Sequence, residues 1–176
     1  IRTRTGIERR HIAADGETTV DLAEHAARRA LAAAGVAAED VDFIAFGTTT
    51  PDLIFPNCGV LLQKRLGCIG VPAFSVETAC AGFMYALSIA DKYVRCGEAK
   101  RALVIGSETL SRITDWSDRN TAVLFGDGAG AVVLKPSAEP GVMSTHLHSD
   151  GEYKDLLYVE SGVSRGFKYD EQRRRV

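Results

Sequence analysis

Four strand-like apolar runs, spaced by segments of helical character, constrain this chain more than any other feature. VDFIAFGTTT (41–50) is β-branched and aromatic and reads as a buried strand; PAFSVE (72–77) and KRALVIGSE (100–108) follow the same pattern. AVLFGDGAGAVVLK (122–135) passes through glycines into a further strand. A helical segment precedes each of the first three. TTVDLAEHAARRALAAAG (18–35) has Thr18 or Thr19 to cap its start, Gly35 to end it in a left-handed turn, and a stripe of small side chains that lets a neighbour approach. A shorter helix is expected from about Asn57 to Leu66, ended by Gly67, and a third runs on from Cys80 to near Gly97. Uninterrupted apolar strands alternating with helices predict an α/β fold, with a mostly parallel sheet covered by helices on both faces.

The remaining bulk properties exclude more than they identify. The length of 176 residues suits one core-forming lobe, and 45% apolar with 25% charged residues is ordinary for a globular protein. A net charge of −2 points to neither nucleic acid nor a membrane surface, and no apolar run is long enough to span a bilayer. The basic start, IRTRTGIERRHI, lacks the apolar centre of a signal peptide. Cys58, Cys68, Cys80 and Cys96 have neither metal-ligand spacing nor the setting of a disulfide framework, so reduced thiols and a cytoplasmic location are expected. The charged start and the tail KYDEQRRRV read as the edges of a piece of a longer polypeptide, with 168–176 atypical of the rest.

The chemistry concentrates on SVETACAGFMYALSIAD (75–91), where a strand becomes a helix. ACAGFMYALSIA (79–90) carries no charge, so the helix is expected to be buried in a core or an interface. A cysteine in the first turn of a helix meets unpaired N–H groups and the positive end of the helix dipole, which favour a thiolate. The small neighbours Ala79, Ala81 and Gly82 leave room for a carbonyl to reach the sulfur, and strand-to-helix junctions are where α/β sheets bind ligands. On pattern alone, Cys80 packing as a small hydrophobe between strand and helix is an equal alternative. GDGAG (126–130) lacks the ending of a P-loop and the spacing of a dinucleotide fingerprint; close backbone packing beneath the cysteine, with Asp127 capping the turn, is the better expectation. His146 and His148 share a face if their segment is a strand, but structural hydrogen bonding is favoured over a metal site; His11 and His25 read as surface residues.

ETACAGFMYAL, DWSDRNTAVLFGDGAGAVVL and STHLHSDG closely resemble the ketoacyl-acyl-carrier-protein synthase III family of thiolase-like condensing enzymes, as do TRTGIERRHI (3–12) and TTTPDLIFP (48–56) in the same order. The resemblance extends to about residue 167. It implies a decarboxylative Claisen condensation that begins fatty-acid synthesis. Cys80 matches the nucleophile that takes an acyl group from acyl-CoA, with acetyl-CoA the expected primer, and malonyl-acyl carrier protein is the second substrate. It also implies a homodimer and no permanently bound cofactor. By the same comparison Arg4 and Arg119, with Trp116 beside the latter, fall in segments that contact CoA. Phe55 matches a residue that crosses the dimer interface into the partner's acyl pocket, and Leu110 matches a pocket-lining position. The family completes its site with a histidine and an asparagine from a second half that these residues do not contain, and it begins with a further strand. The expectation is therefore a single thiolase-like, nucleophile-bearing N-terminal lobe, inactive alone. Other thiolase-like enzymes, such as hydroxymethylglutaryl-CoA synthase relatives or secondary-metabolite condensing enzymes, are the second reading. A non-catalytic lobe is the third.

Overall fold

The basic start of the chain winds into a single helical turn, α1 (Arg2–Thr5), closed by Gly6 in the left-handed region at φ 73°. The structure, a computed structural model, describes residues 1–139 and 141–166; the charged tail 168–176 lies outside the described residues. The alanine-rich segment forms α2 (Thr19–Ala34). Thr18 and Asp21 close a reciprocal capping box at its start, and Gly35, at φ 62°, ends it. β1 (Phe43–Gly47) follows, then α3 (Cys58–Leu66), capped by the Asn57 side chain and ended by Gly67. β2 (Ala73–Val76), α4 (Gly82–Arg95), β3 (Ala102–Thr109) and β4 (Asp127–Leu134) complete the order.

The four strands form one sheet in the order β2-β1-β3-β4. β1 pairs parallel with β2 and with β3, whereas β4 pairs antiparallel with β3. The reason is connectivity. β2 and β3 each follow a helix that carries the chain back along the sheet, while residues 110–126 join β3 to β4 without such a crossover, so β4 runs in reverse. The sheet is therefore mixed, parallel through its first three strands.

Each buried strand serves two cores. From β1, Ile44 and Phe46 face α2 and α3 and join Val20, Leu31 and Leu62; Phe43 and Ala45 face α4 and join Ala86 and Ala90. Val104 of β3 sides with the second group, Leu103 and Ile105 with the first. Complete burial of side chains such as Phe46 and Leu62 stabilises the fold by about 1.5–3 kcal/mol each.

The helix α4 differs from its expectation in one respect. Gly82, Ala86 and Ala90 are buried against the sheet and Ser88 is buried with its hydroxyl on Thr145, but Met84 and Tyr93 on the same helix remain exposed. A sheet can cover only one side of a helix, and the uncharged run 79–90 offers more apolar surface than that side takes up. By compactness the chain divides into two units, 1–146 and 147–176. The described part of the second is a turn at Gly151–Tyr153, capped by the Asp150 carboxylate, and a short bridge between Gly162 and Gly166.

Candidate active site

The site is built where β1 ends and α4 begins. Gly47, the last residue of β1, lies against the backbone of Gly82, the first residue of α4. A Cβ on Gly47 would sit 2.4 Å from the Gly82 carbonyl carbon, which explains glycine at this position. Phe83 rests in the same way on Gly106 of β3, where a Cβ would come within 3.1 Å of its own. Two bare backbones thus let the start of α4 settle onto the carboxyl ends of two parallel strands, the place where α/β sheets present ligands.

Cys80 precedes α4 rather than opening it. It lies at the centre of a 3-10 turn, Ala79–Ala81, two residues before the first helical residue. The turn is sharp: Ala79 adopts φ 45°, the one non-glycine residue with positive φ among those described. A side chain in this region carries strain of about 1–3 kcal/mol, a cost that functional turns commonly hold. Next to it, the buried Thr78 hydroxyl has no hydrogen-bond partner among the described residues. Strain and an unsatisfied hydroxyl on consecutive residues mark a backbone fixed by its surroundings.

The Cys80 side chain is exposed and lines a cavity of about 530 Å³. Phe83 of α4 also lines that cavity, together with the paired residues Gly106, Ser107 and Glu108 of β3 and Gly128 to Val132 of β4. The contrast with the other thiols is chemical as well as positional. Cys58 is fully buried and its thiol is pushed up to about 11, chiefly by desolvation; burial likewise raises Cys68, whose Sγ donates to the Ala38 carbonyl at 3.0 Å. Both are packing residues.

The glycine motif acts differently from its expectation. Only Gly126 is tightly packed, where a Cβ would come within 3.1 Å of the His11 carbonyl oxygen; beside Gly128 and Gly130 there is open space. Asp127 is a tether rather than a local cap. Its Oδ2 accepts from Ala13 N–H at 2.7 Å and Ser111 Oγ at 2.6 Å, and its Oδ1 accepts from Ser111 N–H at 2.8 Å. Its own N–H donates to the His11 carbonyl at 2.7 Å, and the Arg10 guanidinium donates to the Ala122 carbonyl. One carboxylate therefore joins the N-terminal segment, the turn after β3 and the start of β4.

The other sequence-predicted residues lie away from the cavity wall. Arg4 is exposed on α1, and Arg119 is exposed in the turns between β3 and β4. Trp116 is partly exposed and donates its indole N–H to the Ser111 carbonyl at 3.1 Å. Phe55 projects from the loop after β1 with 83% of its surface accessible. Leu110 is half-buried in the turn that follows β3. Neither His146 nor His148 falls in a strand, so the shared imidazole face is not formed.

A residue that sequence reasoning passed over lines the same cavity as Cys80. Glu108, near the end of β3, accepts from Thr49 N–H at 2.8 Å and Thr50 N–H at 3.1 Å, and also from the Thr50 hydroxyl. The available signal was faint: a lone acid at the end of an otherwise apolar strand.

A mixed sheet between helices, with a cysteine on a strained elbow at the carboxyl ends of parallel strands, defines a thiolase-like fold, and solved structures agree. The 3-oxoacyl-(acyl carrier protein) synthase III of Pseudomonas aeruginosa PAO1 superposes with a TM-score of 0.86 at 38% identity, over 98% of this chain and 55% of its own. The corresponding enzyme of Aquifex aeolicus VF5 gives a TM-score of 0.76 at 50% identity, over 79% and 45%. A model of the family 3-Oxoacyl-[acyl-carrier-protein (ACP)] synthase III matches residues 74–151, which include Cys80 and the glycine motif. A Beta-ketoacyl-[acyl-carrier-protein] synthase III of Xanthomonas campestris pv. campestris (strain 8004) is 62% identical over 167 residues, 95% of this chain and 51% of its own length. Along almost its whole length the chain is similar to proteins of the beta-ketoacyl-[acyl-carrier-protein] synthase III family. It spans about half the length of the curated relatives it matches.

Proposed function

We propose that this chain carries the nucleophile of a decarboxylative condensation that begins fatty-acid synthesis, with Cys80 as the acyl-accepting residue. The observation that supports this most directly is the exposed thiol on a strained turn at the mouth of a cavity. In the reaction, the Cys80 thiolate attacks the carbonyl carbon of acetyl-CoA or another short acyl-CoA. The carbonyl oxygen becomes an oxyanion, to which the Cys80 backbone N–H is the natural donor. Collapse breaks the bond to CoA sulfur, and CoA leaves as a thiol after taking up a proton. Malonyl-acyl carrier protein then loses carbon dioxide. The resulting carbanion attacks the Cys80 thioester, releasing the thiolate and a β-ketoacyl product on the carrier.

Arg4, Arg119 and Trp116 are proposed as the CoA contacts. Guanidinium groups match phosphate, and both guanidinium and indole stack on adenine. Phe55 and Leu110 are proposed for the acyl pocket, Phe55 by crossing to a second copy in a homodimer. Its exposure on a loop suits that role. The reading makes residues 1–176 a nucleophile-bearing lobe, with the histidine and asparagine that complete the family's site contributed from outside them, in a cytoplasmic enzyme needing no resident cofactor. No helix among the described residues is long and apolar enough to cross a membrane.

The test is acylation. In the natural polypeptide that carries this sequence, acetyl-CoA should add one acetyl group, read by intact mass, and Cys80→Ala should add none. Equal labelling of the two proteins would remove Cys80 from the mechanism.

A further inference from the structure

Glu108 is the one charged side chain on β3, and it stands in the wall of the cavity that Cys80 lines. Its donors are neutral backbone and hydroxyl groups from one short loop, the exit of β1. Oε1 accepts from Thr49 N–H at 2.8 Å. Oε2 accepts from Thr50 N–H at 3.1 Å, from the Thr50 hydroxyl, and from the Thr48 hydroxyl at 3.3 Å. The loop is also tied on its far side to the segment that leads into the nucleophile. Thr48 N–H donates to the Val76 carbonyl at 3.1 Å, and the Thr49 hydroxyl donates to Glu77 Oε1 at 3.2 Å, three residues before Cys80. The exit of β1 is thus clasped between an acid on β3 and the residues that lead into the elbow.

We propose that Glu108 is a positioning residue for acyl transfer to Cys80, holding residues 48–50 so that the cavity presents a bound acyl group to the sulfur. The inference rests on the reading that Cys80 is acylated, and it adds a residue outside the nucleophile. Its physical basis is geometric. A carboxylate is an acceptor-only group with two oxygens, so it can gather converging N–H and O–H donors that no neutral side chain of its length could satisfy together. Hydrogen bonds to an ionised acceptor are also about twice as strong as neutral ones. Acyl transfer needs the carbonyl carbon held about 3–3.5 Å from sulfur, and a misplacement of about 1 Å can lower a rate by about 100-fold. A small alkylating reagent that enters in any orientation makes no such demand.

That difference supplies the test. Glu108→Gln keeps the shape but turns an NH₂ group toward either Thr49 N–H or Thr50 N–H, so one donor faces another. Glu108→Asp keeps the acceptor on a shorter arm. In the natural polypeptide, the acetylation rate of Cys80 at saturating acetyl-CoA, its alkylation rate by iodoacetamide and the melting temperature are measured for each form. Glu108→Gln should slow acetylation by roughly 10- to 100-fold and leave alkylation unchanged, and Glu108→Asp should recover part of the loss. Acetylation at the wild-type rate in Glu108→Gln overturns the proposal. So does a parallel fall of acetylation, alkylation and melting temperature, which would make Glu108 a scaffold residue only. If Glu108→Gln does not fold, the same split is read in Glu108→Asp. A wild-type protein alkylated at Cys80 but never acetylated overturns the acyl-transfer reading itself, and this proposal with it.

Discussion

Four cysteines in one chain occupy two chemical environments. Cys58 and Cys68 are buried and pushed toward the thiol, whereas Cys80 and Cys96 are exposed. Brief alkylation of the native protein near neutral pH should therefore modify Cys80 and Cys96 and spare the other two until denaturant is added, which peptide mass mapping checks. At this scale the sequence was informative where meaning is local. Cys80 stood out because a strand, a cysteine, small neighbours and an uncharged helix follow one another directly. Glu108 did not, because its meaning lies in Thr48–Thr50, some sixty residues earlier, and no local pattern announces a partner that distant. Asp127 was misread for the same reason: its partners Ala13 and Ser111 come from two other segments.

Helix boundaries were legible because capping chemistry is written within a few residues. Thr18, one of the two expected caps, and Gly35 bound α2, and Asn57 and Gly67 bound α3. The reversal of β4 was not legible, since an apolar run reads alike in either direction. Nor was the meeting of Gly47 with Gly82, which depends on how closely α4 approaches β1. That meeting is nevertheless a sharp constraint. The methyl group of Gly47→Ala would fall on main-chain atoms of Gly82 and Phe83, which cannot swing aside as a side chain does. We expect it to destabilise the protein by about 1–3 kcal/mol or more, measured by urea unfolding. Because the displaced segment carries Cys80, acetylation should fall with it.

At the scale of the whole molecule, acid should weaken the protein through its surface. Arg65 on α3 reaches Asp21 and Glu24 on α2, and Arg28 reaches Glu24. The Arg65 guanidinium, followed by the hydrogen bond from Thr18, holds the Asp21 carboxyl at about 2, below its ordinary 3.8. Arg28, ahead of Arg65, lowers Glu24 as well. A carboxyl whose folded-state value is depressed adds stability that is complete above its unfolded value and is lost as pH falls through the folded one. Urea midpoints of the wild type should therefore drop as pH falls from about 4 to about 2, and those of Asp21→Asn should drop less steeply. The effect is modest because the pair is about one-third exposed and open to solvent screening. The opposite demand acts at Ala79. Its left-handed backbone is a local debt of roughly 1–3 kcal/mol that glycine would cancel. Yet glycine would also free the link that holds Cys80, the proposed nucleophile, in place. Under the acylation proposed for Cys80, a lineage selected only for heat resistance would be drawn to replace Ala79, and one selected for acyl transfer would be drawn to keep it, so this single position would set robustness against reactivity.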